Sequence, residues 1–329
     1  MKKIKSVLYI MFLIFWSCEN QSVDLKEVTI TSPEDNSMVS ILVTIKCLIS
    51  AEINIERVEL LIDDNPTGIV NRLTPFSLVW NTSDYEDNDY KIIVRSYDIS
   101  GNIYDSDPIN VTVFKTIELW GEDYSIENTI ELDLNNSMLT GSIPPTISSL
   151  VNLTSLNLSF NQLSGEIPVE MMNLRNLTNL QLMGNQITGS IPEEIGIMMD
   201  LTDLDLSINQ LSGSIPPGIF NLINITNLNL SINQLTGFIP LDIENMISLI
   251  NLNLSNNKLS GNIPEAIENL TNLIELNLYR NEFSGYIPET LCSLVENNCS
   301  IKIYNNKFCP PYPFCIEDIL GEQDISNCD

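Results

Sequence analysis

The side chains able to act on another molecule are mainly carboxylates, amides and a few aromatics. The 329-residue sequence has no His, which removes Ser-His and Cys-His nucleophile activation and any His-ligated metal. Asp203 and Asp205, two positions apart, are the residue type for paired acid–base work. At that spacing they share one open face of a strand, and no neighbouring sequence closes a pocket that would shift their proton affinity. Nucleophile elbows, metal boxes and phosphate loops are absent from the sequence, so neither catalysis nor a cofactor is expected. Asp63, Asp64 and Asp98 are of a type that binds calcium, but turn formation is the adopted reading for all three. Recognition is the chemistry left. The candidate ligand-binding residues are Asp133, Asn157, Gln181, Asp203, Asp205, Asn229, Asn253 and Asn277, with Tyr279 and Arg280 as the best hot spot. Amides with occasional aromatics suit sugars or extended peptides, whose hydroxyls or backbone need donors and acceptors.

These residues are positioned by a repeat. Leu156-Asn-Leu158-x-x-Asn161 recurs every 24 residues as Leu180/Leu182/Asn185, Leu204/Leu206/Asn209, Leu228/Leu230/Asn233, Leu252/Leu254/Asn257 and Leu276/Leu278/Asn281. A partial copy, Leu132/Leu134, precedes them with Ser137 in the Asn position, and Ile301/Ile303/Asn306 follows after a step of 25. Each L-x-L is a short strand whose leucines point inward and whose other residues point out. The expected fold of this part is mainly β with short helical or 3-10 segments: a leucine-rich-repeat solenoid with a parallel sheet on its concave face. Asn161, Asn185, Asn209, Asn233, Asn257, Asn281 and Asn306 are expected to form a buried ladder bonded to backbone groups, a structural role.

Each copy continues into Leu-x-Gly-x-Ile-Pro, as in Leu163-Ser-Gly165-Glu-Ile167-Pro168. Gly permits a positive φ, Ile re-enters the core, and Pro opens the convex segment, where its missing N–H costs little. Ile147/Leu150, Ile195/Met198, Ile219/Leu222 and Ile267/Leu270, spaced three apart, give that segment an inward stripe. At these residues the chain resembles the plant-type leucine-rich repeat, L-x-x-L-x-L-x-x-N-x-L-x-G-x-I-P, over more than half its length.

The formal charge is 15 − 43 = −28. Such an acidic balance offers phosphates no basic surface, so no nucleic-acid partner is expected. Lys2, Lys3 and Lys5 precede an apolar run from Val7 to Trp16 that is too short to anchor in a bilayer as a span. Residues 1–18 therefore read as an export signal. Ser17-Cys18 resembles the end of a bacterial lipoprotein signal, although Phe15 and Trp16 depart from that pattern. The resemblance implies an acylated Cys18 as a membrane anchor, and a place in the cell envelope, as an outer-membrane or cell-surface lipoprotein. Ordinary cleavage and secretion is the alternative.

Residues 24–114, ahead of the solenoid, read as a β-sandwich of immunoglobulin-like type, with β-rich runs at Val28–Ile30, Ile41–Leu48, Val58–Ile62, Phe76–Trp80, Tyr90–Tyr97 and Ile109–Val113. Val58-Glu-Leu-Leu-Ile-Asp63, Pro75-Phe-Ser-Leu-Val-Trp80-Asn and Asp98-x-x-Gly101-Asn102 resemble bacterial immunoglobulin-like domains, which implies a stalk or spacer. Cys47 reads as a buried apolar residue. Residues 115–128 are taken as linker and N-terminal cap, 129–306 as the solenoid and 307–329 as a disulfide-bonded C-terminal cap. Cys292, Cys299, Cys309, Cys315 and Cys328 cluster in the last 38 residues of the sequence, as disulfides would in an exported chain. The expected pairs are Cys292–Cys309 and Cys315–Cys328, each joining a coil or cap element to the next, with Cys299 left over.

Together these features point to a non-catalytic cell-surface recognition or adhesion protein, a monomer that binds an extracellular protein or polysaccharide on its concave face. The alternative is a secreted inhibitor of glycan hydrolases, since the repeat resembles that of polygalacturonase-inhibiting proteins.

Overall fold

The structure is a computed structural model and describes residues 27–328. The expected export signal and Cys18 lie outside the described residues. The chain divides between Val113 and Phe114 into two compact units.

The first unit is built from β1 (Val28–Ser32), β2 (Ser37–Val39), β3 (Leu42–Ile49), β4 (Ile55–Ile62), β5 (Asn65–Asn71), β6 (Ser77–Asn81), β7 (Asp89–Asp98), β8 (Ile103–Asp105) and β9 (Ile109–Val113). One sheet has the order β1-β3-β6 and the other β2-β9-β7-β4-β5, with β8 paired to β7. Along β3, Val43, Ile45 and Cys47 are buried while their neighbours face out, the period-2 pattern of a half-buried strand. They pack with Val58, Leu60, Trp80, Ile92, Val94 and Val111 in one core shared by both sheets. Burial pushes the free Cys47 thiol up to about 11. Three strands were not expected from the sequence. β2 and β8 have three residues each, and β5 contains Pro66 and Gly68, so none carries a run of strand-forming residues. Asp63 and Asp64 make the turn before β5, as their residue type implies, at φ of 48° and 65°.

Asp98 closes the turn after β7. Its carboxylate accepts from the Ser100 and Asn102 backbone N–H groups at 2.8 Å each and from Asn102 Nδ2 at 2.7 Å. The side-chain bond from Asn102, followed by those backbone donors, holds its carboxyl below the usual aspartate range. A depressed folded value means stabilisation that is complete above the ordinary aspartate pKa and fades as pH falls through the folded value. Asp98→Ala should therefore melt at a lower temperature than the wild type at pH 7, with the gap closing toward pH 3. A gap of constant size across that range would rule the carboxylate out as the cause.

The second unit opens with a hairpin, β10 (Thr116–Leu119) and β11 (Glu122–Ser125). It buries Leu119 fully and lays Ile117, Trp120 and Tyr124 against the core of the first coil. Eight three-residue strands then pair in parallel, from Glu131–Asp133 to Ser300–Lys302. Their register is one repeat, so Leu132, Leu156, Leu180 and Leu204 stand side by side and the series ends at Ile301. On the opposite face run 3-10 segments, from Pro145–Ser149 to Glu265–Asn269, and finally the α-helix Leu291–Glu296. Each 3-10 segment follows a proline in extended conformation, such as Pro192 or Pro216, whose missing N–H leaves no orphan donor there. Two adjacent segments approach closely because of glycine. A Cβ on Gly218 would lie 2.1 Å from the Glu193 carbonyl oxygen, and one on Gly196 would lie 2.4 Å from that of Gly218.

A second set of short parallel strands, such as Gln162–Gly165 beside Gln186–Ile187, stitches the coils at Leu-x-Gly, where no strand was expected from the sequence. Two to four residues around a positive-φ Gly leave no periodic signal in sequence.

The disulfides correct the expected pairing. Cys292 joins Cys315 and Cys309 joins Cys328, in place of Cys292–Cys309 and Cys315–Cys328. Cys292 lies in the convex helix and Cys309 follows the strand Lys307–Phe308, so the two sit at different points around the coil. After Cys309 the chain forms the 3-10 turn Phe314–Ile316, which packs on that helix and sets Cys315 against Cys292. The tail then pairs back onto the last coil, Asn306 against Gln323, and ends with Cys328 at Cys309. Cys299 is free and buried, its thiol pushed up to about 11 by burial.

Candidate functional site

The concave ribbon rests on the asparagine ladder. Asn209 is typical: its Nδ2 donates to the carbonyls of Leu182 at 3.0 Å, Leu206 at 3.1 Å and Ser207 at 3.1 Å. Its Oδ1 accepts from the Ile187 N–H at 3.0 Å. One side chain thus satisfies backbone groups of its own coil and the coil before. Asn185, Asn233 and Asn257 repeat the pattern, and Asn161 bonds back to Ser137 and Leu139 in the opening coil. Asn281 and Asn306 extend it to the C-terminal coils. All seven are buried, so the ladder fixes the ribbon without being part of its surface.

On the ribbon, side chains of successive coils bond to one another. Asp203 accepts from Gln181 and from Asn227 Nδ2 at 3.0 Å, and Asn251 Nδ2 donates to Asn227 Oδ1. In the neighbouring column Asn229 Nδ2 donates to Asp205 Oδ2 at 2.9 Å. Ser207 Oγ donates to Asp205 Oδ1, and Ser231 and Ser255 donate likewise to Asn229 and Asn253. Asp203 and Asp205 are therefore already supplied with donors. Asn157 Oδ1 turns back to the Ser159 N–H, and Asp133, in the first coil, accepts from Asn135. Among the described residues no group of three or more His, Cys, Asp or Glu is placed to hold a metal ion.

The C-terminal end of the ribbon differs. Tyr279 and Tyr304 stack with centroids 4.8 Å apart and planes 12° from parallel. Lys302 Nζ bonds Glu275 Oε1 at 2.7 Å, and the carboxylate makes that ammonium harder to deprotonate than an ordinary lysine. Asn277, nearly buried on the same strand as Glu275, has an Oδ1 without a hydrogen-bond partner. Arg280 lies past the strand, exposed and at φ of 54°, so it stands on the rim rather than on the ribbon proper. Sequence reading picked out Tyr279 and Arg280 but missed Tyr304, whose signal was available: it holds the Tyr279 position one repeat later.

Residues 27–94 match the family model of the bacterial Ig domain. Seven consecutive stretches, from 128–150 to 272–294, match the Leucine Rich Repeat model. No curated protein matches the chain. Among solved structures, a TDR receptor is 35% identical over 54% of this chain and 31% of its own, with a TM-score of 0.52. The ectodomain of the plant membrane receptor kinase GASSHO1/SCHENGEN3 from Arabidopsis thaliana, solved in complex with CASPARIAN STRIP INTEGRITY FACTOR 2, is 31% identical over 60% of this chain and 27% of its own, with a TM-score of 0.54. A leucine-rich-repeat protein of Leptospira interrogans is 32% identical over 59% of this chain and 48% of its own, with a TM-score of 0.49. The chain thus spans less than a third of the length of the first two of these receptors. Its spelling, its in-register parallel sheet and the matched models agree: the chain belongs to the leucine-rich-repeat proteins, with plant-type repeats carried behind a bacterial Ig domain.

Proposed function

We propose that the protein is an exported, non-catalytic recognition protein of the cell envelope that binds an extended extracellular partner, a protein segment or a polysaccharide, along the concave ribbon. An acylated Cys18 would anchor it, and the sandwich would serve as a spacer. The observation that carries the reading is the ribbon itself: eight strands in one register present successive rows of half-buried polar side chains, a long polar face of the kind an extended partner can follow. Two disulfides suit an oxidising compartment. The similar GASSHO1/SCHENGEN3 ectodomain was solved with a bound factor, which supports a recognition role here by analogy of fold.

The test is an array of glycans and peptides probed with the full chain, followed by two bulky substitutions on any hit. Asn253→Trp fills the ribbon, whereas Thr146→Trp adds the same bulk to an exposed position in the convex segment Pro145–Ser149. Binding should weaken about tenfold or more for the first and stay unchanged for the second, since a ring on the contact surface excludes a close-fitting ligand. Equal effects, or loss through Thr146→Trp alone, would place the binding surface elsewhere.

A further inference from the structure

The C-terminal corner of the ribbon gathers most of the cations of the solenoid. Five basic residues follow Lys115 in sequence, and four of them, Lys258, Arg280, Lys302 and Lys307, lie within three consecutive coils. Lys302 and Lys307 are committed to Glu275 and Glu282. No ion pair among the described residues involves Lys258 or Arg280. The Arg280 carbonyl accepts from the Asn257 N–H at 3.2 Å, which sets Lys258 one residue from that junction. Two cationic side chains outside any ion pair therefore share one rim of a protein whose net charge is −28.

The floor beside them is suited to a flat polar ring. In the column of Tyr279 the three preceding coils carry Ser207, Ser231 and Ser255, so one ring face abuts Tyr304 and the other looks over small residues. Lys302 lies within electrostatic reach of both phenols. Asn277 Oδ1 is a buried acceptor left unmatched by the protein. A peptide anchor would need a desolvated apolar pocket, whereas Ser255, Asn253 and Asn277 around the Tyr279 face are polar.

Within the recognition role proposed above, we infer that Tyr279, Arg280 and Lys258 form a subsite for an acidic sugar, a pyranose bearing a carboxylate. The C–H face of the sugar stacks on the Tyr279 ring. Its carboxylate meets the Arg280 fork, which matches carboxylate geometry two bonds at a time. Lys258 adds charge at longer range, and the ring hydroxyls reach the amides of Asn253 and Asn277.

The repeat provides substitutions that keep the fold. Tyr279→Ser, Arg280→Asn and Lys258→Gln each install the residue found at the same column in an earlier coil, Ser255, Asn256 and Gln234. Calorimetric titration of the full chain uses three probes: a hexamer of a uronic acid, the same hexamer with its carboxyls reduced to alcohols, and an acidic peptide of equal charge. The wild type should bind the uronate hexamer at least about tenfold more tightly than the reduced one, and the triple variant should lose about that factor. The preference should also shrink as salt rises. No binding of the uronate, equal binding of the reduced hexamer, preference for the peptide, or an unaffected triple variant would each overturn the subsite. Binding abolished by Asn253→Trp but untouched by the corner substitutions would sink this inference alone; an array without hits would remove the recognition role as well.

Discussion

Asn209→Leu is expected to lower the melting temperature of the solenoid by about 10 °C, a loss on the order of 4 kcal/mol for a unit of this size. The substitution keeps bulk and burial but removes four hydrogen bonds at once: three donated by Nδ2 to Leu182, Leu206 and Ser207, and one accepted from Ile187. The Ile187 N–H is left without another partner, an orphan that costs about 1–3 kcal/mol, while the Leu182, Leu206 and Ser207 carbonyls each lose one of two donors and keep those from Asn185, Asn233 and Gly184. Leu is also among the most apolar of residues, so a hydrophobic account of the ladder would predict no change or a gain. Gln210 supplies the comparison: it is exposed beside Asn209, and Gln210→Leu should shift stability by no more than about 0.5 kcal/mol. If the Asn209→Leu chain melted with the wild type, hydrogen bonding would be removed as the reason for the Asn column.

Opening both disulfides should cost about 6 kcal/mol, roughly 3 kcal/mol each for loops of this length. The separations are 23 residues for Cys292–Cys315 and 19 for Cys309–Cys328. The loss falls on the last coil, where Ile301, Phe308 and Ile316 would otherwise meet solvent. Paired substitutions read the connectivity directly. Cys292→Ala combined with Cys315→Ala should cost no more than either alone, because both changes open one bridge. Cys292→Ala combined with Cys309→Ala should cost about twice as much, since it opens two. The reverse outcome would restore the pairing first expected from sequence.

The solenoid could be read from the sequence because its spelling follows local rules: alternation sets the inward leucines, and a constant period sets the register of every strand. The bonding of individual ladder residues was less accessible, since Asn209 reaches backward to Leu182 and Ile187 across a coil boundary that spacing alone does not draw. The disulfides were missed for a reason of geometry. Nearest-element logic joined Cys292 to Cys309, yet 23 residues is nearly one full turn of the repeat, which returns Cys315 to the same convex position. In the sandwich, β2 and β8 are held by their neighbours' hydrogen bonds and not by three residues of their own propensity. At the ribbon, residue types were legible but their mutual bonding was not: whether Asp203 is free or satisfied depends on the rotamers of Gln181 and Asn227.

The Asn ladder has a genetic corollary. Ladder bonds in the central coils repeat with the same sequence offsets, 22, 27 and 3 residues, from Asn185 to Asn257. Excising or duplicating 24 codons, one repeat of the sequence, in that tract therefore rejoins donor to acceptor across the seam, and the two capped ends never register the change. Slippage during replication can thus lengthen or shorten the reach of this molecule in whole steps, while most other insertions would strand buried amides at the junction.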